Sequence, residues 1–423
     1  MKVAELYPRV FLENKRQTVY IQLHVDASVE IKIQPMESYH IPHGKPPRLD
    51  EEERYPYIPT KRVGEGLYSA EYDFPVGGRY TVRVRNGENV IFNGYLYALT
   101  AELAALRPFK GETHCHTNRS DGAYEPTPLM LRYFAEGFDF AAVTDHYKYA
   151  PSVEAREAMR PLTGLFTVLT GEEIHNKPHG YFHSVNLCGE YSVNEFIEEN
   201  AEYVRTEADR IKRERSFPEG VNPELAAYRI FISNEIRRAG GVSILAHPFW
   251  EAYGEYNMER RELEYHLTHG VFDALELFAG NDNTGNGDNL EIALWGDLRA
   301  LGVKTPVLGA SDNHNPDSEQ TRFNRNLSLV FARDTDDIPN AIKRGSVVAV
   351  KRRTDTDFLV IGEYSLVAYA RFLLAEMYPT YAKLTARIAE EIKNAGCRTE
   401  NAAALETAAI EYRNRFFAQG INR

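Results

Sequence analysis

Along the first 105 residues, hydrophobic positions recur every second residue. Val19, Ile21, Leu23 and Val25 alternate with polar residues, as do Val29, Ile31, Ile33 and Tyr80, Val82, Val84. A period of two puts alternate side chains on one face, so each segment predicts a strand with one buried side. Gly77-Gly78, Asn86-Gly87 and the Pro/Gly stretch Ile41 to Pro47 supply turns. Short strands at this spacing predict an all-β sandwich over residues 1–105.

From Lys110 the pattern changes to short apolar runs alternating with longer helical stretches, which predicts an α/β domain over residues 106–355. The runs are Glu112 to His116, Phe140 to Thr144, Phe166 to Thr170, Ser184 to Leu187, Val242 to Ala246, Ala274 to Phe278 and Pro306 to Gly309, seven in all. Stretches such as Pro128 to Gly137 and Asn289 to Gly302 are long enough for helical crossovers. Gly171 to His183 is the exception: rich in Gly, Pro and His and without helical period, it predicts a hairpin-like return and an antiparallel fourth strand. Residues 191–240 read as a charged helical insertion broken at SFPEG. A helical extension follows over 356–423, interrupted at Pro379, with Leu373, Leu374, Met377, Ile388 and Ile392 on a face suited to the barrel or a second subunit.

Composition adds exclusions. The chain has 423 residues, 43% hydrophobic and 26% charged, which is globular. With 49 basic and 61 acidic side chains its net charge is −12, so no duplex nucleic acid and no anionic membrane is expected as a partner. Three cysteines (Cys115, Cys188 and Cys397) form no disulfide framework and suit a reducing compartment. No apolar run approaches the roughly 18 to 20 residues of a membrane helix, and MKVAELYPRVFLENKRQ lacks the apolar core of a signal peptide. The expectation is a cytoplasmic protein.

The chemistry lies where histidines and carboxylates fall on the seven runs. His114 and His116 share one face of the first, and Asp121 follows in HTNRSDG. His146 closes the second run, Glu172 and Glu173 the third, and His247 the fifth; Asp312 and His314 close the seventh. Ligands at successive strand C-termini converge on one rim of a barrel. His183 begins its strand instead, and an antiparallel fourth strand brings that start beside the end of the third. Six imidazoles and three carboxylates exceed the needs of one ion, so two or three divalent ions are expected, with zinc, manganese or iron favoured by the mixed donors.

The segments HCHTNRSDG, FAAVTDH, LTGEEI, HSVNL, GGVSILAHP, DALELF and LGASDNH resemble, in order, the motifs of the PHP (polymerase and histidinol phosphatase) superfamily of metal-dependent phosphoesterases. The resemblance covers roughly residues 108–350. It implies a distorted seven-stranded (β/α) barrel with a di- or trinuclear centre. By motif, His114, His116, Glu173 and Asp312 match the first ion's ligands, Asp121, His146 and His314 the second's, and Glu173, His183 and His247 the third's. Many relatives carry His where this chain has Asp121, and the family's Gly-x-Glu-Ile spacing selects Glu173 over Glu172. FPVGGRYTVRVR resembles the late strands of immunoglobulin-like domains, and a sandwich ahead of the barrel resembles a branch that includes carbamate hydrolases.

These readings predict a hydrolase, foremost of small phosphate esters or nucleotides, in which water bridging two cations ionises near neutral pH and attacks phosphorus. Asp312 is expected to carry a proton to the leaving group, and His247 is counted with it as catalytic. A hydrolase of carboxylic or carbamic esters and a non-catalytic metal-bound binding module are the alternatives, and a homo-oligomer stays open. Arg119, Lys148, Arg322 and Arg325 are candidate anion contacts, while Tyr147, Tyr149, Phe249 and Trp250 follow ligands and are candidate pocket walls. Asp145 is expected behind the ligands or as a helix cap, Cys115 and Cys188 in the core, and His24, His40 and His43 in surface or packing positions. His266 and His269 are read as solvated. His175 and His179 lie near Glu173, within reach of the centre or of substrate.

Overall fold

The structure, a computed structural model, describes residues 2–37, 55–175, 183–252, 254–278, 286–318 and 323–422. The chain separates into two compact units: residues 1–107 with 368–381 and 407–423, and residues 108–367 with 382–406.

The first unit carries β1 (Val3–Tyr7), β2 (Val10–Leu12), β3 (Lys15–Leu23), β4 (Glu30–Pro35), β5 (Ile58–Pro59), β6 (Lys61–Gly64), β7 (Leu67–Phe74), β8 (Gly78–Asn86) and β9 (Asn89–Leu99). They form two sheets, ordered β1-β3-β7-β6 and β2-β9-β8-β4-β5. The alternating residues face inward: Val19, Ile21, Leu23, Val29, Ile31, Ile33, Tyr80, Val82 and Val84 are all buried. Val25 is not; β3 ends at Leu23 and Val25 is 66% exposed. Phe74 of one sheet stacks on Phe11 of the other at 4.3 Å. Gly87, at φ +58°, makes the β8–β9 turn. Ile41 to Pro47 lies outside the described residues. Arg9 N–H donates to Phe416 and Ala418 N–H to Val10, which ties the chain's last residues to β2.

The second unit holds β10 (Arg107–Glu112), β11 (Phe140–Ala142), β12 (Thr167–Leu169), β13 (Gly171–His175), β14 (His183–Leu187), β15 (Val242–Leu245), β16 (Glu251–Ala252), β17 (Glu255–Tyr256), β18 (Ala274–Phe278), β19 (Val307–Gly309), β20 (Asn326–Ala332), β21 (Val347–Arg352) and β22 (Phe358–Ile361). They form a mixed α/β arrangement with sheets β12-β11-β10-β20-β21-β22 and β13-β14-β15-β18-β19, plus the hairpin β16-β17. β14 runs antiparallel to β13 and β15, as its short connection predicts.

Three details depart from the sequence reading. The third apolar run divides at Thr170 into β12 and β13, which join different sheets. β10 stops at Glu112, so His114 and His116 lie beyond its end. The strands form two hydrogen-bonded sheets instead of one continuous ladder, with β20 to β22 added. Isolated bridges join Cys115 to Asn313 and His146 to Glu173, linking the sheets where the ligands fall. Gly111 is required in this packing, since a Cβ there would lie 1.9 Å from Phe140 Cζ.

The helical insertion consists of Val193–Glu199, Ala201–Glu214 and Pro223–Arg238. Ser192 and Asn222 cap the first and third by accepting backbone N–H bonds. The C-terminal helices are Tyr364–Glu376, Tyr378–Ala395 and Glu400–Phe416, so the break precedes Pro379, which sits in the first turn of the second helix. Leu373, Leu374, Met377 and Ile388 are buried and Ile392 is half-buried.

Candidate metal centre

Past the end of β10 the chain turns through Thr113 to Thr117. Three backbone N–H groups (Thr113, His114 and Ser311) donate to the buried Glu112 carboxylate at 2.9, 3.0 and 3.0 Å. One carboxylate therefore fixes both the loop carrying His114 and His116 and the loop carrying Asp312 and His314. Asp145 accepts from Thr117 N–H, Thr117 Oγ1 and Ser120 Oγ, shaping the turn that leads to Asp121. His247 and Asp312 have φ of +25° and +45°, a strained backbone for residues with side chains.

These supports bring all nine expected ligands together in overlapping sets whose donor atoms lie within 4.8 Å of one another. One set is His114, His116, Glu173 and Asp312, all buried: His114 Nε2 lies 3.3 Å from Glu173 Oε2 and 3.4 Å from Asp312 Oδ1, and His116 Nε2 lies 3.0 Å from Asp312 Oδ1. A second is His116, Asp121, His146 and His314, with Asp121 3.6 Å from His146 Nε2 and 3.4 Å from His314 Nε2. A third is Glu173, His183 and His247, with Glu173 Oε1 2.9 and 3.4 Å from the two rings. Glu173 contributes to two sets. Its neighbour Glu172 points elsewhere, accepting from Asn186, Ser192, Val193 N–H and Asn194. His116 joins the second set as well as the first, which its motif alone does not indicate.

Sequence reasoning missed Glu276. Fully buried on β18, it approaches His114 Nδ1 at 2.9 Å and accepts His247 N–H at 3.3 Å. With Nδ1–H donated to Glu276, His114 presents its Nε2 lone pair to the centre. His314 is oriented the same way, its Nδ1 2.9 Å from the Asp312 carbonyl. The missed signal is an acid inside the apolar run ALELF.

Burial opposes charge throughout, and at some groups the neighbours outweigh it. Although burial raises them, Asp121, Glu173 and Asp312 are held below the usual carboxylate range by surrounding imidazoles. Burial pushes His116 down to about 4 and also lowers His183. At His314 burial is outweighed by Asp312 and Asp121, which push it up to about 9. Cation binding displaces such protons. The donors fit divalent cations. His114 and His116 turn ring nitrogens to each other at 3.2 Å, and His183 and His247 do so at 3.3 Å. Buried atoms His116 Nδ1, His183 Nε2, His247 Nδ1 and both Glu173 oxygens make no hydrogen bond of proper geometry.

This chain is similar to PHP-like metal-dependent phosphoesterases. A two-domain protein from Bacteroides vulgatus containing a predicted PHP-like metal-dependent phosphoesterase shares 17% identity over 64% of this chain and 70% of that one, with a TM-score of 0.44. A putative metal-dependent phosphoesterase from Bifidobacterium adolescentis shares 20% over 56% and 96%, with a TM-score of 0.39. An amidohydrolase from Chromobacterium violaceum, with bound sulfate and no metal, shares 20% over 49% and 88%, with a TM-score of 0.34. No family model and no curated protein matches the chain.

The remaining candidates divide. Arg119 pairs with Glu125 and Glu154 at 2.9 and 2.8 Å, and Lys148 donates to the Arg119 carbonyl, so each of these candidate anion contacts already has a partner within the chain. Arg325 is half-buried, its carbonyl bonded to Arg352 N–H; Arg322 lies outside the described residues. Trp250 walls the centre, 5.7 Å from the rings of His183 and His247. Phe249 is buried in the core, and Tyr149 bonds the Gly189 carbonyl instead. Tyr147 stacks on His175 at 5.2 Å, and His175 lies 4.4 Å from His183. Cys115 is buried and Cys188 half-buried. His24 is exposed, while His40, His43 and His179 lie outside the described residues. His269 is exposed, but His266 is buried, 3.2 Å from Glu262, which also pairs with Arg229. Among the described residues no helix is long and apolar enough to cross a membrane.

Proposed function

We propose that the chain is a divalent-metal-dependent hydrolase of phosphate monoesters, built on a distorted seven-stranded (β/α) barrel of the PHP type. The observation that carries this reading is the convergence of nine candidate ligands in overlapping donor sets around Glu173. The bridges between the two sheets support the barrel by bringing strand ends from both to the same place.

The His114, His116, Glu173 and Asp312 set would hold one cation, the His116, Asp121, His146 and His314 set a second, and the Glu173, His183 and His247 set a third. Such cations, when bound, activate water and neutralise charge on phosphate oxygens. Charge balance favours phosphate over a carboxylic or carbamic ester. Three divalent ions against Asp121, Glu173, Asp312 and Glu276 leave an excess of about two positive charges, which suits a dianion and gives a neutral ester no advantage. Asp312 Oδ2 lies 3.9 Å from His247 Nε2. In this reading Asp312 receives a proton from attacking water and returns it to the leaving oxygen. Trp250 limits water at the rim.

Metal-reconstituted protein is tested on p-nitrophenyl phosphate and nucleoside monophosphates against naphthyl acetate and aryl carbamates. Phosphate turnover that falls by about a hundredfold in Asp312→Asn with ion content retained is the expected result. Turnover of carbamate or acetate alone overturns the phosphate assignment. Well under one ion per chain overturns the hydrolase.

A further inference from the structure

A cavity of about 700 Å³ opens beside the centre, between the insertion helices and the residues that follow two of the ligands. His175 and Tyr147 line it, and His175 is also ring-to-ring with His183, so this residue belongs to both the cavity and the edge of the ligand cluster. Its deeper wall is apolar: Ile174, Ile197, Val204 and Tyr228, with Ala201 and Ala208 from the Ala201–Glu214 helix leaving open space. Ile174, Val204 and Tyr228 are buried in the core behind. The volume is that of a small-molecule site.

Charge at the rim narrows the occupant. Arg205 and Lys212 line the cavity with Glu198, Asp209 and Glu224, and Lys212 pairs with Glu224 at 2.6 Å. Two cations against three carboxylates offer no excess positive charge, so a second anionic group gains nothing there. The Tyr147 and His175 rings stack 13° from parallel at 5.2 Å and both line the cavity, which gives it an aromatic wall.

We propose that this cavity receives the leaving group of the substrate, and that the leaving group is uncharged and aromatic, with at least two rings. The proposal rests on the phosphate-ester hydrolase reading. Phosphate sits at the ligand cluster, the first ring at the Tyr147–His175 face, and the rest of the leaving group against Ile197, Val204 and Tyr228. Water adds to phosphorus, the P–O bond to the aryl oxygen breaks, and that oxygen leaves with one proton as the phenol.

Phenyl phosphate and 4-biphenylyl phosphate have closely similar leaving groups at the scissile bond and differ in the second ring. Wild-type protein loaded with metal is expected to show a kcat/KM about tenfold or more higher for the biphenylyl ester, from burial of that ring. Ala208→Trp and Ala201→Trp fill the space from two positions and are expected to bring the ratio towards one. Calorimetric titration with 4-phenylphenol is the readout independent of turnover: binding to wild type that weakens at least tenfold in either variant supports the cavity. A wild-type ratio near one overturns this proposal and leaves the hydrolase standing. If neither ester is turned over while p-nitrophenyl phosphate or a nucleoside monophosphate is, this proposal fails and the hydrolase stands. If no phosphate ester is turned over, the hydrolase reading fails, the phenol titration decides the cavity, and no saturable binding overturns it.

Discussion

Replacing Glu276 by Gln tests how the centre is held. The carboxylate receives two donors, His114 Nδ1–H on one oxygen at 2.9 Å and His247 N–H on the other at 3.3 Å, and it is fully buried. Glutamine keeps the volume but accepts at only one oxygen and turns an NH2 group towards the other donor. The loss is a hydrogen bond to a charged group, about 1.5–3 kcal/mol, or roughly 10- to 100-fold in affinity if all of it falls on metal binding. That range matches the usual cost of losing a partner behind a metal ligand. Zinc titration of metal-free protein in competition with a chromophoric chelator measures it, with elemental analysis giving ions per chain. The expected result is weaker binding at unchanged stoichiometry. Affinity within twofold of wild type refutes the positioning role, and the loss of one whole ion shows Glu276 to be a ligand itself.

Two further outcomes follow from buried groups outside the ligand sets. Glu172→Ala strips the acceptor from Asn186, Ser192, Val193 N–H and Asn194, so chemical denaturation is expected to show a loss of about 3 kcal/mol or more with ion content retained; a loss under about 1 kcal/mol contradicts it. Burial lowers Lys110 to about 7, although Glu136 and Asp139 pull the other way. Between that value and the unfolded value of 10.5 the unfolded chain carries the extra proton, so stability gains up to about 1.4 kcal/mol per pH unit as pH rises. Lys110→Met is expected to abolish that rise, and equal slopes in urea titrations at pH 7.5 and 9.5 for both proteins refute the assignment.

The candidate donors were legible because they fall just past the ends of apolar runs: His114 and His116 beyond β10, and His146, His247 and Asp312 past theirs. The antiparallel β14 was legible from the short, helix-poor Gly171 to His183. What stayed hidden depends on partners distant in sequence. Arg119 reads as an open cation until Glu154, 35 residues on, is seen to hold it. His266 sits in a polar stretch, and only its packing with Glu262 and Arg229 shows that it is buried. The split of the third run at Thr170 depends on which sheet each half joins, and periodicity is silent about that.

Glu112 and Ser311 are 199 residues apart, yet their hydrogen bonds join the loops that carry the first and last ligands. On the ribosome, therefore, the N-terminal histidines emerge long before the segment that completes their anchorage. Until then a carboxylate destined for burial lacks one of its donors, and closing so long a loop is slow. Assembly of the pocket is thereby deferred until the segment around Ser311 has been made, and a chain truncated before Ser311 would carry most of the donors without the means to align them.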